Sequence, residues 1–279
     1  MKKESMLTVV STKKKPSLSD IKRAKEISQK LNLPYLKRGK LTLNQLFEKA
    51  REFFKQEKIR ILLVENQNLK LITPSKQELY FHPGLLKIRF LNILKKEKFN
   101  INSKDDLFYQ VLSLRPGDLV LDCNLGLCQD ALLCVYKTKS MLVGLEIDKV
   151  IALVVRDGLK KYNFTGKMKI FNTLKNLIYP ICIDNKTYLQ MAKDNSFDVV
   201  YFSPMFINPK WICSQMMPLR EIAIKSFPDK DTLENAKRVA RKRVVIKINK
   251  GAHELFDYLD DFQIVKTQTR LEYLIWTKK

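Results

Sequence analysis

The tightest constraint on this chain is the segment 119–130, Leu-Val-Leu-Asp-Cys-Asn-Leu-Gly-Leu-Cys-Gln-Asp. An apolar run ends at Asp122, turns at Gly126 and enters a helical stretch at Gln129. That order is strand, tight loop, helix N-terminus, the place in an α/β sheet where a nucleotide-like group sits over the strand ends. A dinucleotide site keeps the first strand end neutral, because pyrophosphate must approach the helix N-terminus and a carboxylate would repel it. Asp122 therefore suits a nucleoside ligand that lacks phosphate and carries positive charge. S-adenosylmethionine (SAM), with its sulfonium and ammonium, is such a ligand.

The pattern around this segment is an alternation of strands and helices. Strands are expected at 119–122, 141–146, 168–172, 198–202 and 244–248. Helices are expected from about 129, over 149–162 and over 231–241, and a closing hairpin over 263–267 and 271–277. Five crossover-linked strands followed by an antiparallel hairpin predict an α/β fold, a Rossmann-like seven-stranded sheet of the class I methyltransferase arrangement. Upstream, Leu7–Val10 reads as a short strand. A helix capped by Ser19 runs to about Leu31, a second spans about Thr42 to Gln56, and Ile59–Glu65 with Leu69–Thr73 forms a hairpin turning at Asn66-Gln67-Asn68. A basic helix over about 85–98 and a short one over 107–112 lead into the first segment. The expected division is a small basic α/β module at 1–78 and a cofactor-binding domain at 79–279.

Composition narrows the class. With 45% hydrophobic residues in 279, the chain can bury a core, and no apolar run approaches a membrane span. Five cysteines, none paired at CxxC spacing, and two histidines argue against zinc; reduced thiols in a cytosol are the expectation. The net charge of +23 favours a polyanionic partner, nucleic acid first. Basic charge is densest at the start, where residues 1–60 hold 17 Lys and Arg against 6 Asp and Glu. A lysine-rich proteome would give the same excess without any such partner.

Several residues stand where chemistry would need them. Glu146 ends the second expected strand, 20 residues after Gly126, where an acid can accept both ribose hydroxyls of a nucleoside. Asn172 and Thr173, at the end of the expected third strand, could meet an adenine amino group. The fourth strand runs into Phe202-Ser203-Pro204-Met205-Phe206. Methylating an exocyclic base nitrogen needs acceptors for its two protons and a flat surface for the base. A side-chain oxygen at Ser203, the Pro204 carbonyl and the Phe206 ring offer these.

The segments Val120–Leu127, Gln129-Asp130, Gly144-Leu145-Glu146, Pro204-Met205-Phe206 and Arg243–Lys247, with Phe81-His82-Pro83 and Arg89, together carry a family resemblance. Over about residues 80–279 the chain resembles the RsmJ-type small-subunit ribosomal RNA guanine-N2 methyltransferases, and still more their Gram-positive branch. The resemblance implies SAM as cofactor, ribosomal RNA or a small-subunit particle as partner, and no metal. It implies cofactor contacts at Gln129, Asp130, Glu146, Ile147 and around Asn172-Thr173, and a substrate-side role at Ser203. The family usually has glycine where this chain has Cys128 and aspartate where it has Ser203. A Cβ at Cys128 crowds the cofactor if the backbone there needs a positive φ.

Two rival readings remain. One is a degenerate methyltransferase fold that binds RNA without catalysis. The other is a methyltransferase for a protein or small molecule. The basic stretch 234–243, with Lys237, Arg238, Arg241, Lys242 and Arg243, could grip phosphates or be a solvated helix face. His82 reads as structural or substrate-positioning, and Trp211 with Met216-Met217 as packing or an apolar lid.

Overall fold

The structure, a computed structural model, describes residues 6–98, 107–205, 216–224, 227–268 and 270–279. The chain forms two compact units, one of residues 1–82, 149–161 and 212–222, the other of 83–148, 162–211 and 223–279.

The first unit is built on a four-stranded sheet of β1 (Leu7–Thr12), β2 (Ile59–Glu65), β3 (Asn68–Ile72) and β4 (Glu78–Leu79), in that order. β1 and β2 are parallel, and the others antiparallel. The two helices between β1 and β2 are α1 (Leu18–Leu31) and α2 (Leu43–Phe54). The α1 cap is Ser17, two residues before the expected Ser19. Ser17 lies three residues before Asp20, so hydroxyl and carboxylate satisfy each other's backbone N–H in a capping box. Asp20 is buried and also accepts the Gln67 N–H at 2.9 Å, tying α1 to the β2–β3 turn. In that two-residue turn Asn66 and Gln67 both have positive φ, 47° and 64°, as a hairpin of this twist requires. Leu46, Phe47 and Ala50 of α2 pack with Val9, Ile59, Ile61, Leu63 and Ile72. α1 lies against β1 and β2, and α6 (Lys149–Lys161) against β3.

In the second unit α3 (Gly84–Lys98) and α4 (Leu107–Leu112) precede a seven-stranded sheet. Its members are β5 (Val120–Asp122), β6 (Leu142–Glu146), β7 (Ile178–Cys182), β8 (Phe197–Phe202), β9 (Ala240–Asn249), β10 (Gln263–Lys266) and β11 (Leu271–Thr277). The spatial order is β10-β11-β9-β8-β5-β6-β7. The first five in sequence are parallel, and β11 runs antiparallel between β9 and β10. Strand order reverses at β5, which sits between β6 and β8, and such a switch point opens a crevice at the C-terminal strand ends. The linking helices are α5 (Gln129–Thr138), α7 (Phe171–Leu174), α8 (Asn185–Met191), α9 (Met217–Ile222) and α10 (Lys230–Val239). α9, like α6, belongs to the first unit. Leu189 of α8 and Leu233, Ala236 and Val239 of α10 join Leu121, Val143, Val200, Phe202, Val244 and Ile246 in one apolar cluster.

Two further expectations fail here. The third strand is Ile178–Cys182, not 168–172. Met168, Phe171 and Leu174 are buried at threefold spacing, and this run forms a short 3-10 turn and α7. Pro180 made the true strand hard to read, but β7 is an edge strand, where a missing N–H is tolerated. The second failure is the basic stretch. α10 ends at Val239 and the backbone turns extended at Ala240, so Arg241, Lys242 and Arg243 belong to β9.

Candidate active site at the strand ends

Asp122, Glu146 and Ser203 lie at the C-terminal edge of the seven-stranded sheet. β5 delivers Asp122, and the register pairs Asp122 with Gly144 of β6 and Tyr201 of β8. The loop that follows is stitched from both sides. Asn124 donates its N–H to Asp122 Oδ1 at 3.0 Å, and its side-chain Oδ1 accepts the Ser203 N–H at 3.1 Å. Leu125 N–H bonds the Leu145 carbonyl at 2.9 Å, with its side chain over Gly144, where an added Cβ would come within 2.5 Å. Gly126 has φ 49°, and its N–H donates to Glu146 Oε2 at 3.2 Å. The other Glu146 oxygen accepts the Asp148 N–H at 2.9 Å. Glu146 thus closes the loop onto the tip of β6, and Ile147 beside it is 45% exposed.

Cys128 has φ 65°, in the left-handed region, and is buried at the start of α5. The condition under which a side chain there is strained is therefore met. A left-handed non-glycine costs about 1–2 kcal/mol. Burial pushes the Cys128 and Cys123 thiols up, so both stay protonated and unreactive.

The electrostatics centre on two carboxyls. Burial pushes Asp122 up to about 7, helped by the neighbouring Asp130 charge and opposed by the Asn124 N–H and Lys247. Burial acts the same way on Asp130, but Lys247 and Arg89 outweigh it and hold that carboxyl well below the usual range. Asp130 Oδ1 takes the Arg89 guanidinium from α3, and Oδ2 takes Lys247 Nζ from β9 at 3.0 Å and the Tyr201 hydroxyl at 2.8 Å. Both oxygens of Asp130 are thus engaged inside the protein.

Asn172 does not stand at a strand end. Its side chain clamps Phe164, accepting the N–H and donating to the carbonyl, each at 2.9 Å, and Thr173 lies beside it in α7. The tip of the true third strand carries Asp184 and Asn185, which the sequence reading missed. Asp184 caps α8 through the Thr187 N–H at 3.1 Å, and Asn185 Nδ2 donates to the Cys123 carbonyl at 3.2 Å. An Asp ahead of a helix after Ile178–Ile183 was the available signal. Tyr201 was missed too, hidden as one apolar residue of a buried strand. Phe206, Trp211 and Cys213 lie outside the described residues.

The basic stretch is engaged by partners within the protein. Lys237 pairs with Glu234 and Asp261, and Arg238 with Asp194 and the Leu189 and Ala192 carbonyls. Arg241 and Lys242 pair with Asp198, Lys242 also with Asp118, and Arg243 bonds the Val111 carbonyl. Buried Asp118 and Asp198 lie at the opposite, N-terminal end of the strands. Among the described residues no cluster of three or more His, Cys, Asp or Glu could hold a metal, and no helix is long and apolar enough to cross a membrane.

A sheet of this order, with its reversed terminal strand and an acid at the tips of both β5 and β6, defines a class I SAM-dependent methyltransferase fold. A solved SAM-dependent methyltransferase from Neisseria gonorrhoeae superposes with a TM-score of 0.61, covering 96% of this chain and 95% of its own at 13% identity. Residues 45–275 match the family model described as "Putative SAM-dependent methyltransferase", and the chain belongs to this family. The uncharacterized protein YpiP of Bacillus subtilis (strain 168) is 31% identical over 94% of this chain and 96% of its own. Ribosomal RNA small subunit methyltransferase J of Buchnera aphidicola subsp. Schizaphis graminum is 30% identical over 77% of this chain and 90% of its own. The cofactor is SAM. The strand ends fit it: carboxyls suit its positive charge, Gly126 adds no side chain to the loop, and the neighbouring Ile147 is apolar and exposed.

Proposed function

We propose that this protein methylates RNA, at the exocyclic N2 of a guanine in small-subunit ribosomal RNA. The observation that carries the reading is the Ser203-Pro204 turn, tied through Asn124 to the strand end that bears Asp122. That link supports reading the Ser203 side chain as the hydrogen-bond acceptor on the substrate side. The RsmJ relative and the +23 charge support it.

When bound, SAM supplies an electrophilic methyl group. The protein's part is orientation. Glu146 exchanges its loop N–H partners for ribose hydroxyls, and Ile147 covers one adenine face. Asp184 and Asn185 take the adenine end in place of Asn172 and Thr173. Asp122 faces the cationic end, and Gln129 opens the helix beneath. Asp130 supports this edge from inside through its ion pairs. Ser203 Oγ and the Pro204 carbonyl accept the two amino protons, aiming the nitrogen lone pair. Residues 79–279 form the methyltransferase domain, and the basic module 1–78 holds the RNA backbone.

The test is transfer of labelled methyl from SAM into small-subunit particles, and into naked ribosomal RNA, from cells lacking the protein. Digestion to nucleosides should put the label in N2-methylguanosine; label in another nucleoside refutes the position. No label, with SAM binding intact, supports the second reading, a non-catalytic RNA-binding protein. The strained Cys128 favours that reading.

A further inference from the structure

Two basic segments leave the first unit's sheet at one end. β1 runs out into Lys13, Lys14 and Lys15. The chain after α1 lies alongside β1 in the parallel sense, with Tyr35 bridging Val10. The Val10 N–H bonds the Pro34 carbonyl at 2.8 Å, the Leu36 N–H bonds the Val10 carbonyl at 2.9 Å, and Ser11 Oγ donates to the Leu36 carbonyl at 2.7 Å. Parallel neighbours leave a sheet at the same end, so Lys37, Arg38 and Lys40 emerge beside Lys13–Lys15. α1 and α2 both begin there, capped by Ser17 and Thr42, and their N-termini add partial positive charge. Residues 11–19 and 33–47 contain no Asp or Glu. The next acids along the chain are Asp20, buried and bound to the Ser17 and Gln67 N–H groups, and Glu48, paired with Arg51. Glu65, at the tip of β2, is paired with Lys70. Lys13 is held by Asp20 and Asn66, and Arg38 Nε by the Leu41 carbonyl. Lys14, Lys15, Lys37 and Lys40 are exposed and have no ion-pair partner among the described residues. In this they differ from the cations of 237–243, which are engaged within the protein.

We propose that this cationic end of the first unit is the surface that grips the RNA, taking backbone phosphates without regard to base sequence. Four unpaired ammonium groups and two helix N-termini complement a run of phosphodiesters in charge. The segments 13–15 and 37–40 hold only Lys, Arg and Gly, so they offer no aromatic ring on which a base could stack and no amide to read a base edge. Gly39, at φ 58°, has nothing within 4 Å of where a Cβ would stand, so the tip of its loop is open to a ligand. The inference rests on the RNA reading for the identity of the polyanion. It adds a place and a mode: affinity from this unit, base choice from the strand ends of the other.

The test is the RNA affinity of the full-length protein as a function of salt, for a small-subunit ribosomal RNA fragment and an unrelated RNA of equal length. The patch variant combines Lys14→Ala, Lys15→Ala, Lys37→Ala and Lys40→Ala. Its slope of log affinity against log salt should be shallower by about three, at about 0.7 to 0.9 for each of four lost phosphate contacts, and both RNAs should weaken alike. Its SAM affinity and melting temperature should match the parent's, because the four side chains are exposed and unpaired. A control variant loses the same charge through Lys160→Ala, Lys167→Ala, Lys169→Ala and Lys193→Ala, at four exposed lysines ahead of β7 and β8. Its slope should stay within about one of the parent's. Equal slopes in the two variants overturn the proposal, since net charge alone then accounts for the binding. A patch variant that weakens only the ribosomal fragment overturns it too. So does one that binds RNA like the parent, which leaves the patch to an acidic protein. If the patch variant behaves as expected but no RNA is methylated, the surface stands and the methylation reading fails. If RNA is methylated and the patch variant binds it with full affinity, this inference alone fails.

Discussion

At the tip of β5 the Asp122 carboxyl is buried with Asp130 and Glu146 opposing its charge and Lys247 and the Asn124 N–H favouring it. Its folded pKa, about 7, lies above the ordinary 3.8. Between these values the folded state holds a proton that the unfolded chain has released, so this group's contribution to stability is full below about 3.8 and is lost as pH rises through 7. Asp122→Asn should therefore raise the melting temperature at pH 8 and leave it unchanged near pH 4. A cationic ligand favours the carboxylate, so SAM affinity should rise from pH 6 to 8 with proton release, and the asparagine variant should lose that dependence. Calorimetry in buffers of different ionisation enthalpy reads both; a flat profile in the parent contradicts the account. Packing gives a second case. Gly158 of α6 lies under Phe81, and an added Cβ would come within 2.1 Å of the Phe81 Cβ. Gly158→Ala should destabilise the fold by about 1–3 kcal/mol in chemical denaturation, despite alanine's better helix propensity.

At the scale of elements, what could be read ahead depended on whether neighbours left local marks. β5, β6, β8, the helices α1 and α2 and the closing hairpin showed apolar period, cap residues or turn chemistry in their own segments. β7 did not. Pro180 argued against a strand, and only its position at the sheet edge makes that proline harmless. The apolar residues 168–174 resembled a strand because a run this short cannot separate the two periods. Asp122, Gly126 and Glu146 were legible from spacing and do meet around one loop, whereas Asn172 was placed by counting from the wrong strand. Arg241 and Lys242 looked like a phosphate grip because buried Asp118 and Asp198, 43 to 124 residues away, are invisible locally. Lys242→Ala should lower stability by about 1 kcal/mol by leaving those carboxylates short of a cation, with RNA affinity unaltered. Loss of RNA binding at full stability would return this residue to the interface.

For the whole molecule, the charge of +23 survives the internal ion pairs only as a surface property, and its consequence is salt dependence. Binding to small-subunit RNA should weaken by about a thousandfold or more between roughly 50 and 200 mM salt. A shallow dependence would shift the substrate towards protein or small molecules. The central claim is that the strand-end loop closed by Glu146 is a working SAM site despite the left-handed Cys128. Calorimetric titration with SAM and S-adenosylhomocysteine, for the parent and Glu146→Ala, tests it most directly. The account predicts micromolar binding to the parent and its loss in the variant; well-folded parent protein that binds neither compound would contradict it.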